Sequence, residues 1–321
     1  MRRCENGLNM SDQLRSDQLR PEQLHHAILG AGGVGGLIGA SLAHFGAPVT
    51  LVVRRETLAD YPQRLKLASP FGKFDVPVSV AAEVPRVDVL WLTVKATQLD
   101  ESLRAITNPA VVRSIVPLLN GIDHISLLRS RYGAEKVIPA TIAVESERVA
   151  PGQIIHRSSF ARLNVSSAGR SLLEATITEL QRLGFECRFV DDEATLMWGK
   201  LVFLAAFALC TTASGKTTGE ILADPEWARA GLACIRETAA VAVAEGAHLD
   251  ADAVIAAAMK MPANMRSSMQ KDVEQGKAPE LDAIAGPILR GAKRHGIEVP
   301  TTKKLVEMVE QRAGLKLTSL V

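Results

Sequence analysis

The run His26-Ala27-Ile28-Leu29-Gly30-Ala31-Gly32-Gly33-Val34-Gly35-Gly36 decides how this chain is read. A short apolar stretch ends in Gly-x-Gly-x-x-Gly. Small and apolar residues at helical spacing follow at once, through Leu37, Ile38, Ala40, Leu42 and Ala43. Strand, tight turn and helix start form the context in which this pattern binds a dinucleotide. Gly30 permits the turn, Gly32 lets a pyrophosphate approach the backbone, and Gly35 lets the helix pack close to the strand. With Gly33 and Val34 completing the loop, the free N–H groups of the helix start face the phosphates. A Gly-rich turn alone would carry little; the flanks carry the assignment.

The next strand decides which nucleotide. Pro48-Val49-Thr50-Leu51-Val52-Val53 reads as a buried parallel strand about twenty residues beyond the first glycine. Enzymes that take NAD usually place Asp or Glu at its end, whereas this chain has Arg54 and Arg55. A carboxylate there would repel a 2′-phosphate, and a guanidinium holds one with two parallel hydrogen bonds. A solvated surface pair is the bland alternative. The expected cofactor is therefore NADPH.

Composition sets the outer bounds. A chain of 321 residues is long enough for two domains. Hydrophobic content of 47% with a net charge of +2 describes an ordinary soluble globular protein, not a polyanion binder or a disordered chain. Aromatic content of 4% argues against a stacking platform for nucleic acid. Cys4, Cys187, Cys210 and Cys234 are widely spaced, which fits a reduced, cytoplasmic setting better than a disulfide framework or a zinc site. Residues 1–25 are polar, lack the apolar centre of a secretory signal and repeat Ser-Asp-Gln-Leu-Arg; they read as a poorly ordered extension. The longest apolar run, residues 201–210, is too short to span a bilayer and reads as a buried helix, so no membrane is expected.

Between residues 26 and 190 strand-like and helix-like segments alternate. Strands are predicted over 73–80, 88–94, 114–119 and 136–144, with helices over 98–106 and 123–131. Residues 154–156 and 163–165 read as an antiparallel pair, followed by a helix over 171–183 and a strand over 186–190. Alternation of this kind predicts an α/β fold, a Rossmann-like doubly wound sheet with its ligand at the carboxyl ends of the strands. From residue 191 strand patterns vanish, and Ala-rich helical stretches over 191–212, 225–245, 251–259, 279–295 and 300–314 predict an all-helical C-terminal domain, 191–321. The active site is expected in the cleft between the two domains.

A nicotinamide enzyme must still position its substrate and handle one proton. Lys95, at the end of a core strand, is placed to steady phosphate or ribose, or is a surface lysine. Asn120-Gly121 ends the next strand; Asn120 is placed to hydrogen-bond the cofactor or a substrate, and Asn-Gly is equally a common turn. Lys200, in Trp198-Gly199-Lys200-Leu201, heads an apolar helical run. Desolvation lowers a lysine pKa towards neutrality, which suits proton donation, although a boundary lysine with a wet head would look the same. Ser267-Ser268-Met269 and Glu280-Leu281-Asp282 follow. Glu280 is a candidate for a substrate hydroxyl or for Lys200, or starts a helix where a carboxylate suits the dipole. Gly215-Lys216-Thr217 mimics the tail of a P-loop, but Cys210 stands where that motif needs glycine. The seven histidines show no metal-ligand spacing, and no metal is expected.

Taken in order, these elements resemble the ketopantoate reductase (2-dehydropantoate 2-reductase) family over residues 26 to 312. Ser267-Ser268-Met269 and Glu280-Leu281-Asp282 match, and the combination of Lys95-Ala96-Thr97-Gln98, Asn120-Gly121, Trp198-Gly199-Lys200-Leu201 and His295-Gly296-Ile297-Glu298-Val299-Pro300 is far more specific than the glycines. The resemblance implies an NADPH-dependent oxidoreductase turning a 2-oxo acid into a 2-hydroxy acid. The family reaction is ketopantoate to pantoate, in pantothenate biosynthesis. It implies Lys200 as general acid and Glu280 as the carboxylate that holds the substrate hydroxyl. It implies Ser268 as a substrate contact, beside the substrate role that its position already offers Asn120, and Arg54, Lys95 and Asn120 as cofactor contacts beside the glycines. Where the family carries Asn four and eight residues after the lysine, this chain has Leu204 and Ala208. That departure leaves two other readings open: a paralogue reducing a more apolar 2-oxo acid or another carbonyl compound, and a catalytically silent NADPH-binding protein. The expected partner is a small 2-oxo acid; a homodimer is left open.

Overall fold

The computed structural model describes residues 23–315. Residues 1–22 of the expected extension lie outside the described residues. Its last residues are tied to the body, correcting the expectation for them: Gln23 donates to the Phe45 carbonyl, and the His25 amide to Asp88.

Strand β1 (His26–Leu29) leads through the glycine turn into helix α1 (Gly33–His44), and β2 (Val49–Val52) follows. Every residue of both strands is buried, as expected for parallel strands covered on two faces. A hairpin of β3 (Arg64–Ser69) and β4 (Gly72–Pro77) comes next, then β5 (Ser79–Ala81), β6 (Val87–Leu92), the short α2 (Leu99–Ser102) and β7 (Val112–Pro117). Strands β5-β2-β1-β6-β7 form a parallel sheet in that order. Its order reverses beside β1, so the crevice at the carboxyl ends of β1 and β6 is the switch point where ligands bind.

Helix α3 (Asp123–Tyr132) precedes β8 (Ala140–Ala143), β9 (Ser146–Ala150), β10 (Gln153–His156), β11 (Arg162–Ser166), α4 (Arg170–Leu183) and β12 (Glu186–Val190). These strands build two further sheets, β4-β3-β10-β9 and β12-β11-β8. The first lies against α1 so closely that a Cβ on Gly36 would come within 2.3 Å of Ile154.

Beyond Val190 the described residues hold helices only: α5 (Glu193–Ser214), α6 (Thr218–Ala223), α7 (Pro225–Ala244), α8 (Ala251–Ala258), α9 (Ser268–Glu274), α10 (Leu281–His295) and α11 (Pro300–Ala313). Helix α5 is capped by Asp192, whose carboxylate accepts from the Ala194 and Thr195 amides, and it stops at left-handed Gly215. It is the axis of this half. Leu201, Val202 and Leu209 vanish into a core shared with α7, α10 and α11. Among the described residues α5 alone is long and apolar enough to cross a membrane, and 61% of its apolar window is buried by its neighbours.

Several expectations need correction. Residues 73–80 are not one strand, because the chain breaks between β4 and β5 and joins two different sheets. Residues 98–106 are broken into 3-10 turns around α2. The segments 154–156 and 163–165 do not pair with each other: β10 is inserted between β3 and β9, and β11 between β12 and β8. Strands β3 and β9 and helices α6 and α9 are additions.

Candidate active site

The glycine turn is built for close approach. Gly30 has φ +108°, and a Cβ there would lie 2.7 Å from the Val94 amide nitrogen, so β6 can pass only behind a glycine. A Cβ on Gly35 would meet the Gly30 carbonyl at 2.3 Å, and one on Gly33 the Ser146 carbonyl at 2.1 Å. Gly32 differs: nothing approaches its missing Cβ closer than 4.0 Å. Gly33 and Gly35 are therefore required by protein packing, while Gly32 opens onto free space. Val34 packs on the core beneath. Gly32 caps α1 without a side-chain bond, and no acidic residue lies in the first turn. The first N–H groups of α1 are thus left for an anion in that space. The turn fits the pyrophosphate of a dinucleotide.

Arg54 stands two residues past the end of β2, exposed. Its neighbour Arg55 is spent on Glu83 at 2.8 Å, whereas among the described residues the Arg54 guanidinium has no ion-pair partner. Lys95 follows β6 at the same edge, but its ammonium is held across the cleft by both oxygens of Asp272, at 2.7 Å each. A second cross-cleft pair, Lys271 to Glu145 at 2.7 Å, also comes from α9.

The loops after β6 and β7 meet the start of α10 in one hydrogen-bonded chain. The Lys200 ammonium donates to Asn120 Oδ1 at 2.9 Å, and Asn120 Nδ2 donates to Glu280 Oε2 at 3.0 Å. The Ala96 amide donates to Glu280 Oε1 at 2.7 Å. Gly121 makes this possible: its φ is +82°, and a Cβ there would strike the Ala283 carbonyl of α10 at 2.2 Å. Asn120-Gly121 is therefore the turn that one of its two readings expected, and the Asn120 side chain bridges Lys200 and Glu280. Glu280 starts α10, yet its carboxylate caps nothing there and is buried against the two loops instead. It does not touch Lys200 directly.

Lys200 sits in the eighth position of α5, among apolar residues, and keeps only partial contact with solvent. Burial of the ammonium pulls its pKa down to about 8, with Glu280 opposing the shift. The group is cationic at neutral pH and close to losing its proton, the state a general acid needs.

Helical geometry places other side chains relative to Lys200, at about 100° per residue. Leu204 and Thr211 fall within about 40° of it, and Phe207 within about 20° on the other side. Leu204 is half-buried, while Ala208 is 1% exposed and sealed into the helical core. Thr211 donates to Ser267 at 2.7 Å, and Ser267 caps α9 through the Gln270 amide. Ser268, next along, is exposed on the first turn.

Side-chain patterning missed three parts of this site. The Ala96 amide has no side-chain signature. Asp272 reads as an ordinary helical carboxylate until β6 is brought to it. His124 is buried in α3, with its Nε2 unpartnered and its pKa pulled down to about 4 by burial and by Lys200, so it is neutral. Its position four residues after Asn120 was the available clue.

Residues 26–169 match the family model described as Ketopantoate reductase PanE/ApbA, and residues 192–313 match the one for its C-terminal part. The chain belongs to the ketopantoate reductase family. It is 30% identical to the 2-dehydropantoate 2-reductase of Caulobacter vibrioides, over 89% of this chain and 98% of the relative. The solved 2-dehydropantoate 2-reductase of Geobacter metallireducens matches with a TM-score of 0.79 at 26% identity, covering 90% of this chain and 99% of that one. A D-mandelate dehydrogenase structure matches at TM-score 0.80 and 22% identity, covering 91% and 99%, and shares the fold.

Proposed function

We propose that this protein is an NADPH-dependent reductase of 2-oxo acids, with residues 26–190 as its cofactor half and 191–321 as its catalytic half. The Lys200–Asn120–Glu280 chain, set at the strand edge that carries the glycine turn, is the observation that supports it. Arg54 supports the choice of phosphorylated cofactor. When bound, the reduced nicotinamide supplies a hydride. Lys200 donates its proton to the ketone oxygen as negative charge develops there. Asn120 holds the ammonium in place, and Glu280 accepts a hydrogen bond from the hydroxyl that forms. Ser268, exposed on the first turn of α9, is the hydroxyl offered to the substrate.

A lysine acid with a pKa of about 8 must be protonated to act, so its competence lies below that pH. We expect the rate of reduction to be flat between about pH 6 and 7 and to fall about tenfold per unit above about 8. A profile flat through pH 10 rejects Lys200 as the acid.

The substrate reading departs from ketopantoate because Leu204 is apolar beside Lys200. An apolar wall leaves a substrate hydroxyl unpaired, whereas one built to hydrogen-bond it discriminates strongly. Following NADPH absorbance over a panel of 2-oxo acids is the direct test. Alkyl 2-oxo acids should outrun ketopantoate, whose kcat/KM should stay below about 10⁴ M⁻¹s⁻¹. Efficient reduction of ketopantoate rejects the altered specificity, and no turnover of any acid rejects the enzyme in favour of a silent NADPH-binding protein.

A further inference from the structure

We propose, on the reading of this protein as a 2-oxo acid reductase that meets its substrate through Ser268, that Lys271 is a positioning residue. Its ion pair with Glu145 fixes helix α9, and with it the Ser268 hydroxyl, over the cofactor half of the cleft.

Helix α9 has seven residues, too few to hold a helix in place without tertiary contacts. Its inner face is anchored in the helical half, where Met269 enters the core and Ser267 accepts from Thr211 at 2.7 Å. The opposite face reaches the cofactor half. At about 100° per residue, Lys271 lies about 60° to one side of Ser268 and Asp272 about 40° to the other, one turn further along. Lys271 meets Glu145 and Asp272 meets Lys95, each at 2.7 Å. Ser268 therefore points between the two pairs, towards the same half. The adjacent charges on α9 are opposite in sign, so turning the helix by one residue would set Asp272 against Glu145. The pairs admit one orientation.

Glu145 is a firm anchor for this purpose. Its amide donates to the Ser158 hydroxyl at 3.0 Å, and its carbonyl accepts from the Arg157 amide at 2.7 Å. The next residue, Ser146, donates its hydroxyl to the Gly33 carbonyl at 2.9 Å, at the glycine turn. The Lys271–Glu145 pair thus joins the helix that carries Ser268 to the segment that braces the cofactor turn. The two pairs differ in their other duties. Lys95 is also an expected cofactor contact, whereas among the described residues neither Lys271 nor Glu145 has another side-chain partner. With side chains 40% and 42% exposed, the pair is screened by water and its simple loss is mild. Reversing one charge is harsher, because repulsion replaces attraction.

The test is steady-state kinetics of the full-length protein at saturating NADPH, with whichever of pyruvate, 3-methyl-2-oxobutanoate and ketopantoate it reduces fastest. We expect Lys271→Glu and Glu145→Lys each to raise the KM of the acid about fivefold, with kcat changed by less than about twofold. Combining Lys271→Glu with Glu145→Lys remakes the pair in reverse and should return KM to within about twofold of its original value. In Ser268→Ala, whose own KM is raised, Lys271→Glu should add less than about twofold, because the hydroxyl it positions is gone. Single reversals that leave KM unmoved overturn the proposal, and so does a combined variant whose KM stays raised. A full fivefold rise on top of Ser268→Ala also overturns it, since Lys271 would then act by another route. Ser268→Ala without effect on KM removes Ser268 from the substrate and the proposal with it, while the reductase reading stands. No reduction of any of the three acids overturns both.

Discussion

Lys200→Ala is expected to lower the turnover of 2-oxo acids by about two to four orders of magnitude, the usual contribution of a general acid. NADPH affinity should hardly change, because the lysine stands on α5 and the glycine turn lies on the other half of the molecule. The size of the effect follows from the site's sparse proton sources. Near the Asn120 amide, Lys95 is committed to Asp272, and His124 is neutral, its pKa held near 4. Neither replaces the lost ammonium. Steady-state rates read the loss, and fluorescence titration of NADPH reads the binding. A variant with near-normal turnover would make Lys200 a boundary lysine whose head happens to meet Asn120.

Arg54→Asp should weaken NADPH by about 1.5–3 kcal/mol, the scale of hydrogen bonds to a charged group, or about ten- to 150-fold in Kd. The effect on NADH should be much smaller, since NADH lacks the 2′-phosphate. Arg54 is exposed and unpaired among the described residues, so its own removal leaves no buried partner and the loss reads directly as cofactor contact. Arg55→Ala is the control, because that side chain is already bound to Glu83. Equal affinity of the unmodified protein for NADH and NADPH would sink the assignment.

What was legible in the sequence was local. The glycine turn, the buried parallel strands and the long helices each carry their signal within a dozen residues, and their ends agree with the structure to within two or three positions. Strand β3 was also written locally, with Leu65 and Leu67 inward and Arg64 and Lys66 outward, and that alternation deserved to be read as a strand. Its partner was not. Residues 153–155 pair with 66–68 across nearly ninety positions, and proximity in sequence to 163–165 was the wrong guide. The site divides the same way. Lys200, Glu280 and Asn120 announce themselves by residue type, but the order Lys–Asn–Glu exists only because Gly121 admits α10 against the β7 loop. Asp272 and the Ala96 amide have no distinguishing neighbours until the two halves meet.

The Asn120 amide sets more than distances. A lysine can only donate and a carboxylate can only accept, so the oxygen of Asn120 must face Lys200 and its nitrogen Glu280. An amide in that position is a spacer that weakens the attraction between the two charges, which still reaches the lysine. Direct contact would have made a buried ion pair, returning the lysine towards a permanent cation and fixing the carboxylate to it. With one neutral dipole interposed, burial still holds the Lys200 pKa down to about 8 against the pull of Glu280. The fold thus separates two opposite charges by the width of a single side chain, close enough to feel each other and too far apart to form an ion pair.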